Sequence, residues 1–249
     1  MTELAYKIEL LSDVVVTADS ATEGGHVGLD HLPGSLFLGV AASAIQPFDP
    51  KLLLSGRVRF LNAYPLCHGK ETHPVPLSYH TPKGGKSEVE KPVNLLISKR
   101  PDNQQMEQCR KGYAPVEGAP IVKIRLNNQL KSAIQRDKRR SEDGKLFDYS
   151  SIPAGTEFLM KIQCDREEDA GIMKGVFNGK TLHLGRSRSA EYGLARCTKH
   201  EAKEPQGEPG KFEDNGNRIA LYLASDLALV RNGMSVLQPE PSDFGLEQA

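Results

Sequence analysis

The sequence has no net charge. Its 249 residues hold 32 Lys and Arg against 32 Asp and Glu. A chain-wide basic field of the kind that draws nucleic acid is therefore excluded, and any anion-binding surface must be local. Cysteine is sparse and scattered. Cys67, Cys109, Cys164 and Cys197 form no C-x-x-C pair, which argues against a zinc knuckle and against a disulfide scaffold. Four reduced thiols in a cytoplasmic protein are the expectation. Long apolar runs are missing too: none approaches the ~18 residues a membrane helix requires, so no membrane partner is expected. The first residues, "MTELAYKIELLSDVVV", carry acids and alternate like a strand, unlike a signal peptide. There is no Walker A segment, no dinucleotide-binding glycine fingerprint and no G-x-S-x-G elbow. No metal-ligand spacing and no cofactor motif is found.

What is present is enough to fold. Hydrophobic residues make up 38% and charged residues 26%, which suits one large domain or two small ones. Residues 4–16 alternate and then turn apolar, a strand pattern suited to the middle of a sheet. "TADSATEGGHVGLD" (17–30) has loop chemistry. "LPGSLFLGVAASAI" (32–45) has helical spacing, with Ser35 as its expected cap. Gly39 inside that helix suggests a close backbone approach, since glycine there costs roughly 1 kcal/mol relative to alanine. Strands are expected over 55–65, 92–98, 119–127, 156–164, 193–200 and 219–230, and a helix over 165–179 with acids in its first turn. Residues 73–86 and 99–118 read as irregular, and 128–155 as a basic, flexible excursion. With the excursions left out, the order is β-α-β-β-α-β. The expected fold class is α+β, ferredoxin-like (RRM-like), two helices on one face of an antiparallel sheet.

Three basic or glycine-rich stretches carry candidate chemistry. "LGRSRSAEYGLA" (184–195) joins Gly185, Arg186, Ser187, Arg188 and Ser189 to Tyr192. Backbone N–H groups freed by glycine and the guanidinium forks suit phosphate. Tyr192 can stack on a base or plug the core. A tight turn with solvated arginines is the plainer reading. Lys131, Arg136, Lys138, Arg139 and Arg140 form the clearest basic cluster, opposed locally only by Asp137. Arg57 and Arg59 alternate along a strand, with Asn62, Tyr64 and Tyr79 nearby to read splayed bases. His26 and His31, or Asp19 and Asp30, sit in the loop before the first helix. A satisfied surface or core histidine and a helix-start aspartate are their plain roles.

Three stretches, in their order along the chain, resemble the RAMP superfamily of CRISPR-associated proteins, and a fourth resembles one subgroup of it. "LDHLPGSLFLG" (29–39) resembles its I-P-G-S-x-x-x-G start to the first helix. "GKLFDYSSIPAGTEFLMKI" (144–162) resembles the return from a thumb-like excursion. "LGRSRSAEYGLA" resembles the glycine-rich loop before the last strand. "RVRFLNAYP" (57–65) and "PVPLSY" (74–79) resemble the type III-D subunit related to those that cap the 5′ handle of the guide RNA.

The resemblance implies a ferredoxin-like domain over 1–200, with insertions at 46–118 and 127–155. It implies that 201–249 forms a linker and the start of a second such half, or a C-terminal extension. It further implies guide-RNA (crRNA) binding in a type III effector complex, through Ser35 and the candidates above. The partners would be the large polymerase-cyclase subunit and backbone RAMP subunits, with target RNA met indirectly. Relatives that cut RNA supply the alternative: an endoribonuclease acting on target through Asp19 or Asp30, or on guide precursor through His26 or His31.

Overall fold

The computed structural model describes residues 1–18, 27–84, 91–96, 98–115, 120–135, 140–187, 191–201, 229–231, 234–236 and 238–244, with backbone alone for 131–135, 140–147, 241 and 244. Two compact units divide the chain, 1–210 and 211–249.

The first unit is mixed α and β, and mostly strand. In chain order its elements are β1 (Thr2–Leu10), α1 (Gly34–Ala44), α2 (Pro50–Leu53), β2 (Val58–Phe60), β3 (Tyr64–Pro65), β4 (His73–Pro74), β5 (Tyr79–Pro82), β6 (Val93–Asn94), β7 (Met106–Gln108) and β8 (Tyr113–Ala114). There follow β9 (Asn127–Gln135), β10 (Arg140–Ser151), β11 (Glu157–Cys164), α3 (Glu167–Phe177), β12 (Thr181–His183) and β13 (Leu194–Lys199). The main sheet runs β12-β13-β1-β11-β2, with β3 also on β11, and every pairing is antiparallel. The first strand is central, as its pattern predicts.

Register explains the core. Ile8 lies opposite both Phe158 and Cys197, Tyr6 opposite Met160, and Ile162 opposite both Leu4 and Phe60, so one face of the sheet is apolar. Phe37 of α1 and Phe177 of α3 bury on that face, and the Phe177 ring lies 6.0 Å from Tyr6 and 6.2 Å from Phe60. Each such side chain contributes about 1.5–3 kcal/mol by leaving water. The opposite face carries an ion-pair ladder that includes Lys7–Glu157, Arg196–Glu9 and Lys161 with Glu3 and Glu71. α3 buries Asp169, Ala170, Met173 and Phe177, a helical spacing, and opens on Glu167, Glu168 and Asp169, where the macrodipole favours acids.

Several expectations need correction. Ser35 does not cap α1. Pro33 occupies the N-cap position with no side-chain bond, and the N–H of Gly34 instead donates to Asn62 Oδ1 at 3.0 Å. Gly39 meets no close neighbour, since a Cβ there would find nothing within 4 Å. It is Gly34, buried against β2, that needs to be glycine: a Cβ there would lie 2.0 Å from Phe60 O.

Residues 120–126 are not a strand; only Val122 bridges, to Tyr113. Strand structure begins at Asn127, and the expected flexible excursion is the antiparallel β9–β10 hairpin, its register broken between Ser141 and Leu146. Apolar content without a partner edge does not make a strand, whereas alternation beside a facing strand does. The stretches read as irregular hold β4 on β8 and the pair β5–β7, and β5 also pairs with β6, which covers only Val93–Asn94 of the strand expected over 92–98. Val58–Phe60, counted within the insertion 46–118, pairs with β11 in the main sheet.

In the second unit, β14 (Val230–Arg231) pairs with β15 (Met234–Ser235), and Arg231 binds Asp243 in the following 3-10 turn, Pro241–Phe244. The expected strand 219–230 lies outside the described residues except for Leu229 and Val230.

Candidate nucleic-acid interface

Beyond β1 the chain continues as an extended spine, Ser12 to Ala18, on which three segments converge. Val14 exchanges backbone bonds with Ile152 at the foot of the β9–β10 hairpin, 2.9 and 2.8 Å. Val15 O accepts the N–H of Arg186 at 3.0 Å, and Val16 O accepts that of Leu29 at 2.9 Å. The glycine-rich loop, the return from the hairpin and the start of the "LDHLPGS" motif thus meet on Val14 to Val16.

Ser12 and Asp13 lock this meeting point. Ser12 Oγ accepts the N–H of Leu194 at 2.9 Å, and Asp13 O accepts that of Gly193 at 2.8 Å. The Asp13 carboxylate accepts bonds from Asn127 Nδ2 (3.0 Å), Ser151 Oγ (2.9 Å) and the N–H of Ala154 (2.9 Å). Burial works to raise its pKa, but these donors outweigh it and hold the carboxyl below its usual value.

Two glycines permit the close approach. Gly185 has φ +75°, and a Cβ on it would lie 2.3 Å from Val15 O. A Cβ on Gly28 would lie 2.7 Å from Ser150 Cβ. Arg186 and Ser187 then stand exposed, with Ser187 at φ +54° and its Oγ 3.4 Å from Tyr149 Oη. Arg188 and Ser189 lie outside the described residues. Tyr192 is only 5% exposed. Its ring stacks on Tyr149 (centroids 5.9 Å, planes 4° apart) and its hydroxyl donates to Gln129 Oε1 at 2.7 Å. Of the basic cluster, Lys131 and Arg140 sit in β9 and β10, with Lys131 opposite Phe147 in the register, while Arg136, Lys138 and Arg139 lie outside the described residues.

The loop before α1 forms a second cluster. The Tyr113 hydroxyl donates to Asp30, and His31 Nδ1 is 3.6 Å from the same carboxylate. The His31 bond and then the Tyr113 bond hold the Asp30 carboxyl below its usual value, against its burial. The Tyr113 phenol is raised by burial and by Asp30. Tyr64 packs between the His31 and Tyr113 rings, at 5.7 and 5.4 Å. Asp19 and His26 lie outside the described residues. Among the described residues no three His, Cys, Asp or Glu side chains group as metal ligands.

The remaining candidates sit elsewhere. Arg59 is opposite Gln163, at the far end of β11 from the hairpin foot, about 20 Å at ~3.3 Å per residue. Arg57 Nη2 binds Asp169 at 3.2 Å and Arg59 Nη2 binds Asp165 at 2.8 Å. Tyr79 packs against the small cluster of Cys109, Ala114 and Ile121, and burial raises its phenol.

Asp13, Gln129, Tyr149 and Tyr113 were not legible as site residues. The one signal was the polar pair Ser12-Asp13 placed inside the apolar run "LLSDVVV".

No family model matches the sequence, and no curated protein matches it. Solved structures do. One chain of the type III-B Cmr-beta complex bound to cognate target RNA and AMPPnP superposes with a TM-score of 0.52 at 11% identity, over 80% of this chain and 64% of that one. This chain thus spans just under two thirds of that protein, and the likeness is one of fold. Looser likenesses are to a chain of Cmr-beta bound to cognate target RNA (TM-score 0.46, 12% identity, 80% of this chain and 97% of that one) and to a chain of a type IV-B CRISPR complex (0.43, 15%, 84% and 95%).

Proposed function

We propose that this chain is a RAMP-superfamily subunit of a type III CRISPR effector complex, and that it holds the guide RNA near its 5′ handle. On this reading the strands β13-β1-β11-β2 with α1 and α3 are a ferredoxin-like unit, and the β9–β10 hairpin and the glycine-rich loop are its RNA-facing excursions. The observation that carries it is the convergence of the three motif-bearing segments on Ser12 to Ala18, which sets exposed Arg186 and Ser187 beside the foot of the hairpin whose strands carry Lys131 and Arg140. The order β13-β1-β11-β2 and the Cmr-beta fold likeness support it.

The mechanism is binding. Arg186, Arg188 and the hairpin cations neutralise phosphates and release counterions, while backbone N–H groups and hydroxyls fix the register. Arg57 and Arg59 are not needed, because acids take up their guanidinium groups. Neighbouring backbone subunits and the large polymerase-cyclase subunit are the protein partners of this reading.

The test is filter binding of the purified protein to a handle-containing guide RNA across a salt series. The expected result is a steep loss of affinity with salt, made shallower by about one to two phosphates when Arg186→Ala and Arg188→Ala are combined. An unchanged salt slope would remove the loop from the interface, and no binding at any salt would remove the reading. Incubating the same protein with labelled target and precursor separates binding from cleavage: a cut abolished by Asp30→Ala would replace the binding-only mechanism.

A further inference from the structure

Tyr192 stands in the most phosphate-suited loop of the chain, where a tyrosine invites a role as a base-stacking platform. The geometry points to a different one: we propose that the Tyr192–Tyr149 stack, tied by the bond to Gln129, is a joint that fixes the β9–β10 hairpin relative to the glycine-rich loop, so that one RNA strand engages both at a set spacing. This rests on the RNA-binding reading above.

Three observations support it. Tyr192 is 5% exposed, too little to offer its face to a base. Its partners Gln129 and Tyr149 are directly opposite each other in β9 and β10, so one side chain grips both strands of the hairpin at the same rung. The joint is also braced on both sides. Ser187 Oγ reaches Tyr149 Oη from the loop, and two residues below that rung Asn127 and Ser151 are held by Asp13, whose own carbonyl holds Gly193 beside Tyr192. A rung clamped from one side and anchored from below cannot swing about the hairpin foot. Two cationic segments held rigidly act as a bivalent grip, in which the second contact forms at a high effective concentration. If the hairpin swings freely, that advantage is lost although no cation has been removed.

The experiment compares Tyr192→Leu, which removes stack and hydroxyl, with Tyr192→Phe, which keeps the stack. The first readout needs no RNA: amide exchange across Asn128 to Leu130 and Asp148 to Ser150, against β1 and β11 as internal controls. The joint predicts faster exchange in the hairpin alone for Tyr192→Leu and near wild-type exchange for Tyr192→Phe. The second readout is guide-RNA affinity. Tyr192→Leu is expected to weaken it about tenfold and to flatten the salt slope towards that of Lys131→Ala, with Tyr192→Phe restoring most of both. Unchanged hairpin exchange in Tyr192→Leu overturns the joint even if affinity falls, because a base-stacking tyrosine would give that result. Faster exchange with unchanged affinity and slope overturns the coupling to RNA. Wild-type protein that binds no guide RNA overturns the parent reading, while the exchange data still report on the joint itself.

Discussion

Arg57 is basic, lies in a stretch that resembles a family motif, and is nonetheless turned inward. Its partner Asp169 is 4% exposed, and Arg57 Nε and Asp169 Oδ2 are both buried without a hydrogen bond. Removing the cation strands a buried carboxylate. Arg57→Ala should therefore destabilise the protein by about 3 kcal/mol, read as a lower denaturant midpoint at unchanged m-value, whereas Arg59→Ala, whose pair is exposed, should scarcely move it. RNA affinity of the folded protein should be the same in both. Gly185 makes the opposite case, a residue whose whole role is what it lacks. With φ +75° and the Val15 carbonyl 2.3 Å from any Cβ, Gly185→Ala forces the loop off the spine. The expected cost is about 2 kcal/mol, and on the proposed function guide-RNA affinity falls as Arg186 loses its place. A variant that binds and melts like wild type would show that the loop is not anchored there.

At the scale of the element, α1 is a helix whose start is completed from elsewhere. Asn62, between β2 and β3, accepts the Gly34 N–H, so Asn62→Ala should act like a lost cap, about 1 kcal/mol, measured as a lower melting temperature with no change in the salt slope of RNA binding. This is also where reading the sequence stops working. Strand β1, helices α1 and α3, and strands β11 and β13 were legible because their apolar spacing is set by a face each one buries, and that spacing lies within a dozen residues. The cap was misassigned to Ser35 because a cap 28 residues away leaves no local trace. The β9–β10 hairpin was read as flexible because its stability comes from cross-strand pairs and from the Asp13 and Tyr192 anchors, both remote in sequence. The candidate site divides in the same way. The glycine-rich loop was visible from composition alone. The residues that aim it, Ser12, Asp13, Gln129 and Tyr149, are ordinary by composition and gain meaning only from what folds against them.

In the first unit as a whole, Asp165 and Glu167 hold their protons more weakly at the exposed start of α3, while the two half-buried carboxylates with lowered pKa values, Asp13 and Asp30, sit at joints and not in the core. Asp13 binds the foot of the hairpin and the loop, and Asp30 ties the start of α1 to Tyr113 of β8. Both bind protons more weakly in the folded chain than in the unfolded one. Their stabilisation is thus complete above the unfolded carboxylate value, about 3.9, and is lost as pH falls through the lower folded values. The thiols of the apolar face between the sheet and the two helices, Cys164 and Cys197, are pushed up by burial, Cys197 to about 12. Acid should accordingly loosen the attachments before the core. As pH falls below about 4, amide protection should fall first in Asn127 to Leu130 and around Tyr113, while β1 and β11 stay protected. Asp13→Asn and Asp30→Asn should each be less stable at pH 7 and lose less on acidification than wild type. A simultaneous loss of protection in the hairpin and in β11 would mean that the joints and the core form one cooperative unit, and that acid acts on all of it at once.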